Sequence, residues 1–140
     1  MLLAAYVCLV VAITDGDTLK VHCDGQPQTT IRLSAIDAPE KGMPFGQRAK
    51  QSLSDLCYMQ DAAITPKATD RYHRTVADVN CRGRDAATEQ VMLGMAWVYD
   101  HYAKGYEALY PLQDDAKANR LGLWVDPEPE PPWLWRKNKH

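Results

Sequence analysis

The chain has a single phenylalanine among its 140 residues, no paired C-x-x-C, and no apolar run near the length of a membrane span. A span needs about 20 apolar residues, so no helical membrane span is read in this sequence. Without C-x-x-C pairs, zinc-ribbon and thioredoxin-type readings have no support. There is no G-x-S-x-G, no Walker loop and no H-E-x-x-H, which removes serine hydrolases, P-loop NTPases and zinc proteases. The four histidines, His22, His73, His101 and His140, lack metal-ligand spacing. Neither sign of charge dominates: 16 Lys and Arg face 18 Asp and Glu, net −2. Bulk electrostatics therefore do not draw polyanions to it, and any such binding has to be local.

What is present fits one domain with an ordinary core, since 46% of residues are hydrophobic. The thirteen residues from Met1 to Ile13 are mostly apolar and contain no Lys or Arg. A secretory leader carries a positive first segment. Ala4-Ala5 fits the scar of one, with Met1 as a new start, but the favoured reading makes Tyr6–Ile13 a buried strand.

Asp15-Gly16 is a hairpin signal, followed by a second strand over Thr18–Cys23 in which Leu19, Val21 and Cys23 alternate with polar residues. Thr29–Ile36 reads as a third strand and Ala38–Gly46 as a loop. Helical spacing covers Gln47–Tyr58, with Ala49, Leu53, Leu56 and Cys57 on one side. Ala62–Lys67 and Thr75–Asn80 are short strands about a turn at Asp70–His73. Asp85 suits the N-cap of a helix over Ala86–Leu93 that Gly94 ends. Ala96–Tyr99 is extended, and Pro111 opens a last helix that Gly122 closes. Five short strands with a helix after the third predict a mainly β, α+β chain: a five-stranded OB-fold barrel with three α-helices. Residues 6–125 form this domain. Residues 126–140 form a Pro/Trp-rich arm, polyproline-like over Asp126–Pro132 and ending in Trp133, Trp135 and a basic tail.

If the hairpin turns at Asp15-Gly16, residue i faces residue 31−i and Cys8 lands opposite Cys23, within disulfide range. Cys57 and Cys81 form the second pair of this preferred connectivity, one of three that four cysteines allow. Two bridges imply an exported protein, secreted or periplasmic.

Asp17 opens the second strand and Asp37 closes the third. Antiparallel pairing puts both at one sheet edge, where two hard carboxylates suit a Ca²⁺ or Mg²⁺ ion. Glu40, three residues on, can orient or deprotonate a water. Arg32 inside a strand is costly to bury unless it meets an anion. Between Lys67 and Arg84 five positive residues face two negative ones, Arg74 among them, and arginine forks match phosphate oxygens.

Three segments, Val11–Thr18, Ile31–Glu40 and Asp70–Arg74, together with Gly122-Leu123-Trp124, resemble the thermonuclease or staphylococcal nuclease-like family over roughly Tyr6 to Trp124. The Pro-rich arm is similar to tails on exported bacterial members. The resemblance implies a Ca²⁺-dependent, sugar-nonspecific nuclease of DNA and RNA that cleaves the 5′-O–P bond and leaves 3′-phosphate ends. It implies Asp17, Asp37 and the Ala38 carbonyl as metal ligands, Glu40 as general base, and Arg32 and Arg74 on the scissile phosphate. Tyr72 would sit near the nucleotide, with Arg71 and Tyr102 as further substrate contacts. A monomer is expected. His73 stands where the family has glycine, and the chain is mildly acidic where the staphylococcal enzymes are basic. Two rival readings are a catalytically weak or inactive nucleic-acid-binding module on the same barrel, and an interaction protein whose Trp-rich arm docks on a partner.

Overall fold

The computed structural model describes residues 5–138; Met1 to Ala4, which include the first residue of the expected Ala4-Ala5 scar, and the last two residues of the basic tail lie outside them. The strands are β1 (Tyr6–Asp15), β2 (Thr18–His22), β3 (Thr29–Leu33), β4 (Ile36–Asp37), β5 (Asp61–Thr69), β6 (Thr75–Cys81), β7 (Arg84–Asp85) and β8 (Trp97–Val98). The helices are α1 (Gly46–Cys57), α2 (Ala86–Met92), α3 (Leu109–Ala118) and α4 (Pro132–Lys137), with single 3₁₀ turns at Asp100–Tyr102 and Gly122–Val125. The sheet runs β3-β2-β1-β5-β6, and a parallel β3–β6 pairing closes it into a five-stranded barrel. This is the expected architecture with a fourth helix added, because the arm does not stay extended: Pro132, with its φ already helical, starts α4.

Inward-facing Val10, Leu19, Val21, Ile31, Leu33, Ile64 and Val79 fill the barrel, and Ala49 and Leu53 of α1 and Val91 of α2 pack onto it. Alternation explains the strands: in β2, Leu19 and Val21 are buried while Lys20 and His22 are exposed. Asp85 caps α2 by accepting from the Thr88 amide at 3.0 Å.

The disulfides are Cys8–Cys23 and Cys57–Cys81, and none of the described cysteines is free. The first forms by a different route from the one expected. The turn is Gly16-Asp17, flanked by Asp15↔Thr18. Two bulges in β1, at Val11 and Thr14, then shift the register until Val10 faces Val21 and Leu9 faces His22. The two slips restore the pairing that sets Cys8 near Cys23, with Cα atoms 4.5 Å apart.

The third strand is shorter than its β propensity suggests. Ala35 takes φ 67°, breaks the run after Leu33, and sends β4 into a separate two-stranded ladder with β8.

Candidate active site

The site lies where the β1–β2 turn meets β4. Gly16 is held tightly: a Cβ there would stand 2.6 Å from the Ala49 Cβ and 2.8 Å from the Ala38 Cβ. The buried Gln90 amide of α2 donates to the carbonyls of Gly16 (2.7 Å) and Ala49 (3.0 Å), so the turn is pinned to both helices. The Asp17 carbonyl accepts from the Leu33 amide at 2.8 Å. Its carboxylate accepts from the Ala38 amide (2.8 Å) and the Thr18 hydroxyl (2.9 Å). Asp37 is fixed by β4, paired to Trp97 across the ladder. The two acids therefore converge, though not as ends of neighbouring strands. Asp17 belongs to the turn, and Asp37 is carried back by the kink at Ala35.

Arg32, opposite Thr18 in β3, reaches between them: its Nη1 is 3.4 Å from Asp17 and its Nη2 3.6 Å from Asp37. Both acid side chains are nearly inaccessible (7% and 1% exposed), so their charges need this partner. Burial would raise Asp17, but Arg32 and bonds from Asp15, Ala38 and Thr18 hold it below its ordinary value. Asp37 moves the other way: burial raises it in spite of its arginine neighbours. Asp15, whose carboxylate also accepts from the Asp17 amide at 3.1 Å, is pushed up to about 7 by burial and then by the Asp17 charge. The turn thus holds one acid that gives up its proton only near pH 7 beside one held below its ordinary value.

Glu40 stands at the rim, and a residue from the far end of the chain joins it to Asp37. Arg136 of α4 puts Nη1 3.2 Å from Asp37 Oδ1 and Nη2 2.5 Å from Oδ2, and its Nη1 also lies 3.2 Å from Glu40 Oε2.

The remaining expected residues form two other groups. Arg74 is held by Asp70 in the β5–β6 loop, Nε to Oδ2 2.7 Å, and makes no ion pair with Asp17, Asp37 or Glu40. Asp70 Oδ1 also accepts the Tyr72 and Arg74 amides, both at 2.9 Å. The guanidinium groups of Arg71 and Arg74 lie 5.0 and 5.4 Å from the exposed Tyr72 ring. The β3–β6 pairing sets this loop beside Arg32, because Thr75 faces Ile31 and Val76 faces Arg32. Tyr102, also exposed, meets Tyr99 edge-on at 5.2 Å next to an open depression of about 510 Å³ lined by Tyr99, Asp100, His101 and Trp133.

Over these residues the comparisons with known proteins are direct. The family model described as staphylococcal nuclease homologue matches residues 30–126. The chain belongs to the staphylococcal nuclease family. That membership makes it an endonuclease-type hydrolase. A protein of Shigella flexneri named micrococcal nuclease is 42% identical over 138 residues, covering 91% of this chain and 79% of the relative. A Haemophilus influenzae protein described as an endonuclease is 41% identical over 133 residues, covering 94% of this chain and 74% of its own length. A staphylococcal-like nuclease of Arabidopsis thaliana is 39% identical over 109 residues, covering 78% of this chain but 33% of the plant protein.

Among staphylococcal nuclease homologues a metal is the natural question for such a site. Among the described residues no group of three or more His, Cys, Asp or Glu side chains is gathered around one point. Two buried carboxylates already facing cationic nitrogens are nonetheless a hard-oxygen set that fits a divalent ion completed by main-chain oxygen and water. Sequence reasoning missed Asp15, taken only as turn chemistry, Gln90 and Arg136. The Asp-Gly-Asp spacing was the available signal for Asp15; nothing local marked the other two.

Proposed function

We propose that this staphylococcal nuclease homologue is a Ca²⁺-dependent, sugar-nonspecific endonuclease that cleaves the 5′-O–P bond of DNA and RNA and leaves 3′-phosphate ends. The observation that carries the reading is the pair of buried carboxylates, Asp17 and Asp37, bridged by Arg32 with Glu40 at the rim. Asp17, Asp37 and the Ala38 carbonyl would hold the ion, which supplies charge neutralisation at the phosphate and a more acidic bound water.

The protein's own groups account for the rest. Glu40, partly exposed, accepts a proton from the attacking water or aligns it. Arg32 is already oriented by two acids, so its fork costs little to reorganise when a phosphate arrives. Arg74 stands on the loop beside it, held by Asp70, and meets the charge that builds on the equatorial oxygens. Tyr72, Arg71 and Tyr102 offer stacking and cationic contacts that do not read base identity. The two disulfides support export to an oxidising compartment. No described helix is long and apolar enough to cross a membrane. We take the working unit to be a monomer.

The test is digestion of DNA and of RNA with Ca²⁺, with Mg²⁺ and with chelator. Cleavage of both polymers with Ca²⁺, slow cleavage with Mg²⁺ and none with chelator is expected, since Mg²⁺ demands a tighter octahedron. Undiminished digestion in chelator would overturn the metal assignment. Purified protein that binds single strands with Ca²⁺ but never cuts them would favour the non-catalytic module.

A further inference from the structure

The arm after Trp124 returns to the site and covers it in two places. Arg136 places its fork on both oxygens of Asp37 and reaches Glu40. Three residues earlier on the same helix, Trp133 lies flat on Tyr99, with centroids 5.2 Å apart and planes 13° from parallel, and also packs edge-on against Trp97. One face of α4 thus presents a cation to the acids and a flat ring to the aromatic wall beside them. These are the two chemistries that a metal ion and a nucleobase would bring.

We propose that α4 is a built-in plug: Arg136 takes up both oxygens of Asp37, one of the acids that would hold the divalent ion, Trp133 stands in for a base on Tyr99, and binding of the ion releases the helix. The proposal rests on the metal reading given above.

Charge counting says why the two occupants exclude each other. Asp17, Asp37 and Glu40 carry three negative charges, against two on Arg32 and Arg136. Replacing Arg136 by a divalent ion balances the set. Keeping both leaves a net positive charge and sets two cations against the same Asp37 carboxylate, 1% exposed, whose oxygens Arg136 already occupies.

Length says why release is easy. α4 has six residues, far below the roughly 12–15 at which an isolated helix becomes marginally stable, so its helicity depends on docking. It follows the proline-rich segment Asp126–Pro131, most of which is exposed, so a semi-rigid spacer rather than a packed element joins it to the barrel.

The experiment is calorimetric Ca²⁺ titration of the full-length protein and of Arg136→Met and Trp133→Ala, with amide exchange at Leu134, Trp135 and Asn138 followed by NMR. Both variants should bind Ca²⁺ roughly ten-fold tighter than the parent, the gain expected when a plug that is docked about ten times more often than not no longer competes. In the parent, saturating Ca²⁺ should abolish protection of those amides, whose acceptors are Pro131 and Leu134. Trp133→Ala is the decisive variant because it leaves every charge in place. Tighter binding by Arg136→Met alone would mean simple charge repulsion and would overturn the plug. So would weaker binding by Arg136→Met, which would make Arg136 a clamp that orders the acids, or α4 protection that survives saturation. If none of the three proteins binds Ca²⁺, the metal reading itself fails and the proposal falls with it.

Discussion

Two arginines expected to share one phosphate are held in opposite ways. Arg32 sits inside the barrel wall, 14% exposed, between two buried acids whose backbones are fixed by a pinned turn and a β ladder. Arg74 sits on a hairpin loop, 31% exposed, and leans on one loop acid four residues away. The first belongs to the core and the second to the surface. The contrast separates two jobs within one family of sites. The part that must hold converging charges is built into the core, where geometry is rigid. On the proposed reading, the part that would meet a long, variable polymer is left where side chains can adjust.

The largest effect should come from breaking the buried half. Arg32→Ala leaves Asp17 and Asp37 without their shared partner, and losing one member of a buried ion cluster costs about 3–5 kcal/mol. Denaturant unfolding should show that loss together with near-complete loss of cleavage. Arg74→Ala should cut turnover by roughly 10²-fold or more while moving stability by less than about 1 kcal/mol. Equal destabilisation by the two changes would erase the distinction between core and loop. Near-normal cleavage by purified Arg74→Ala would remove its role on the phosphate.

Gly16→Ala sharpens the same point one layer out. Its new methyl would meet Ala49 and Ala38 at distances that side chains do not tolerate. Overpacking of this kind costs about 1–3 kcal/mol, and the turn that carries Asp17 would have to move. Lower thermal stability with weakened Ca²⁺ binding is expected. Weakened stability alone would mean that the turn relaxes without disturbing the acid.

Asp15 supplies a pH dependence with a definite sign. Its pKa stands near 7 in the fold against an ordinary value of 3.8, so the neutral acid is the form that folding favours. The stability it contributes is complete below about pH 4 and is lost as pH rises through 7. Asp37, also raised, works in the same direction. Urea midpoints of the metal-free protein should therefore fall between pH 5 and pH 8. Asp15→Asn should flatten that slope, and an unchanged slope would show that Asp15 does not carry it.

Much of this arrangement was legible in the chain. Asp15-Gly16-Asp17 announced a hairpin, strand alternation announced the barrel wall, and the Cys8–Cys23 pairing followed from symmetry about the turn. That symmetry held only because bulges at Val11 and Thr14 compensate for a turn one residue later than expected. What stayed hidden depends on contacts between distant segments. Nothing in Ala35 advertises φ 67°; alanine takes it because β4 must leave the barrel to pair with β8. Gln90 looks like a polar position on a short helix, yet it is buried because Gly16 and Ala49 offer it carbonyls. Arg136 lies 99 residues from Asp37 in sequence, in the basic end of a polyproline-like arm. Local pattern carries no information about such pairings.

The smallest expected effect lies at the exposed half, and the sequence flagged it. His73 occupies the position where the resemblance leads one to expect glycine, and its φ is 64°. The loop needs that conformation: the His73 amide donates to the Asp70 carbonyl at 3.0 Å and the Asp70 amide to the Arg74 carbonyl at 2.9 Å, which closes a tight turn that only a left-handed residue completes. A side chain in that region costs about 1 kcal/mol relative to glycine, so His73→Gly should stabilise the protein by roughly that much. The gain is trimmed by the greater freedom of glycine in the unfolded chain. Cleavage should persist, because Asp70 still accepts the Tyr72 and Arg74 amides and still holds the Arg74 guanidinium. Should cleavage instead fall sharply while stability rises, the imidazole would be a working part of the loop, and the strain at position 73 would be kept for function.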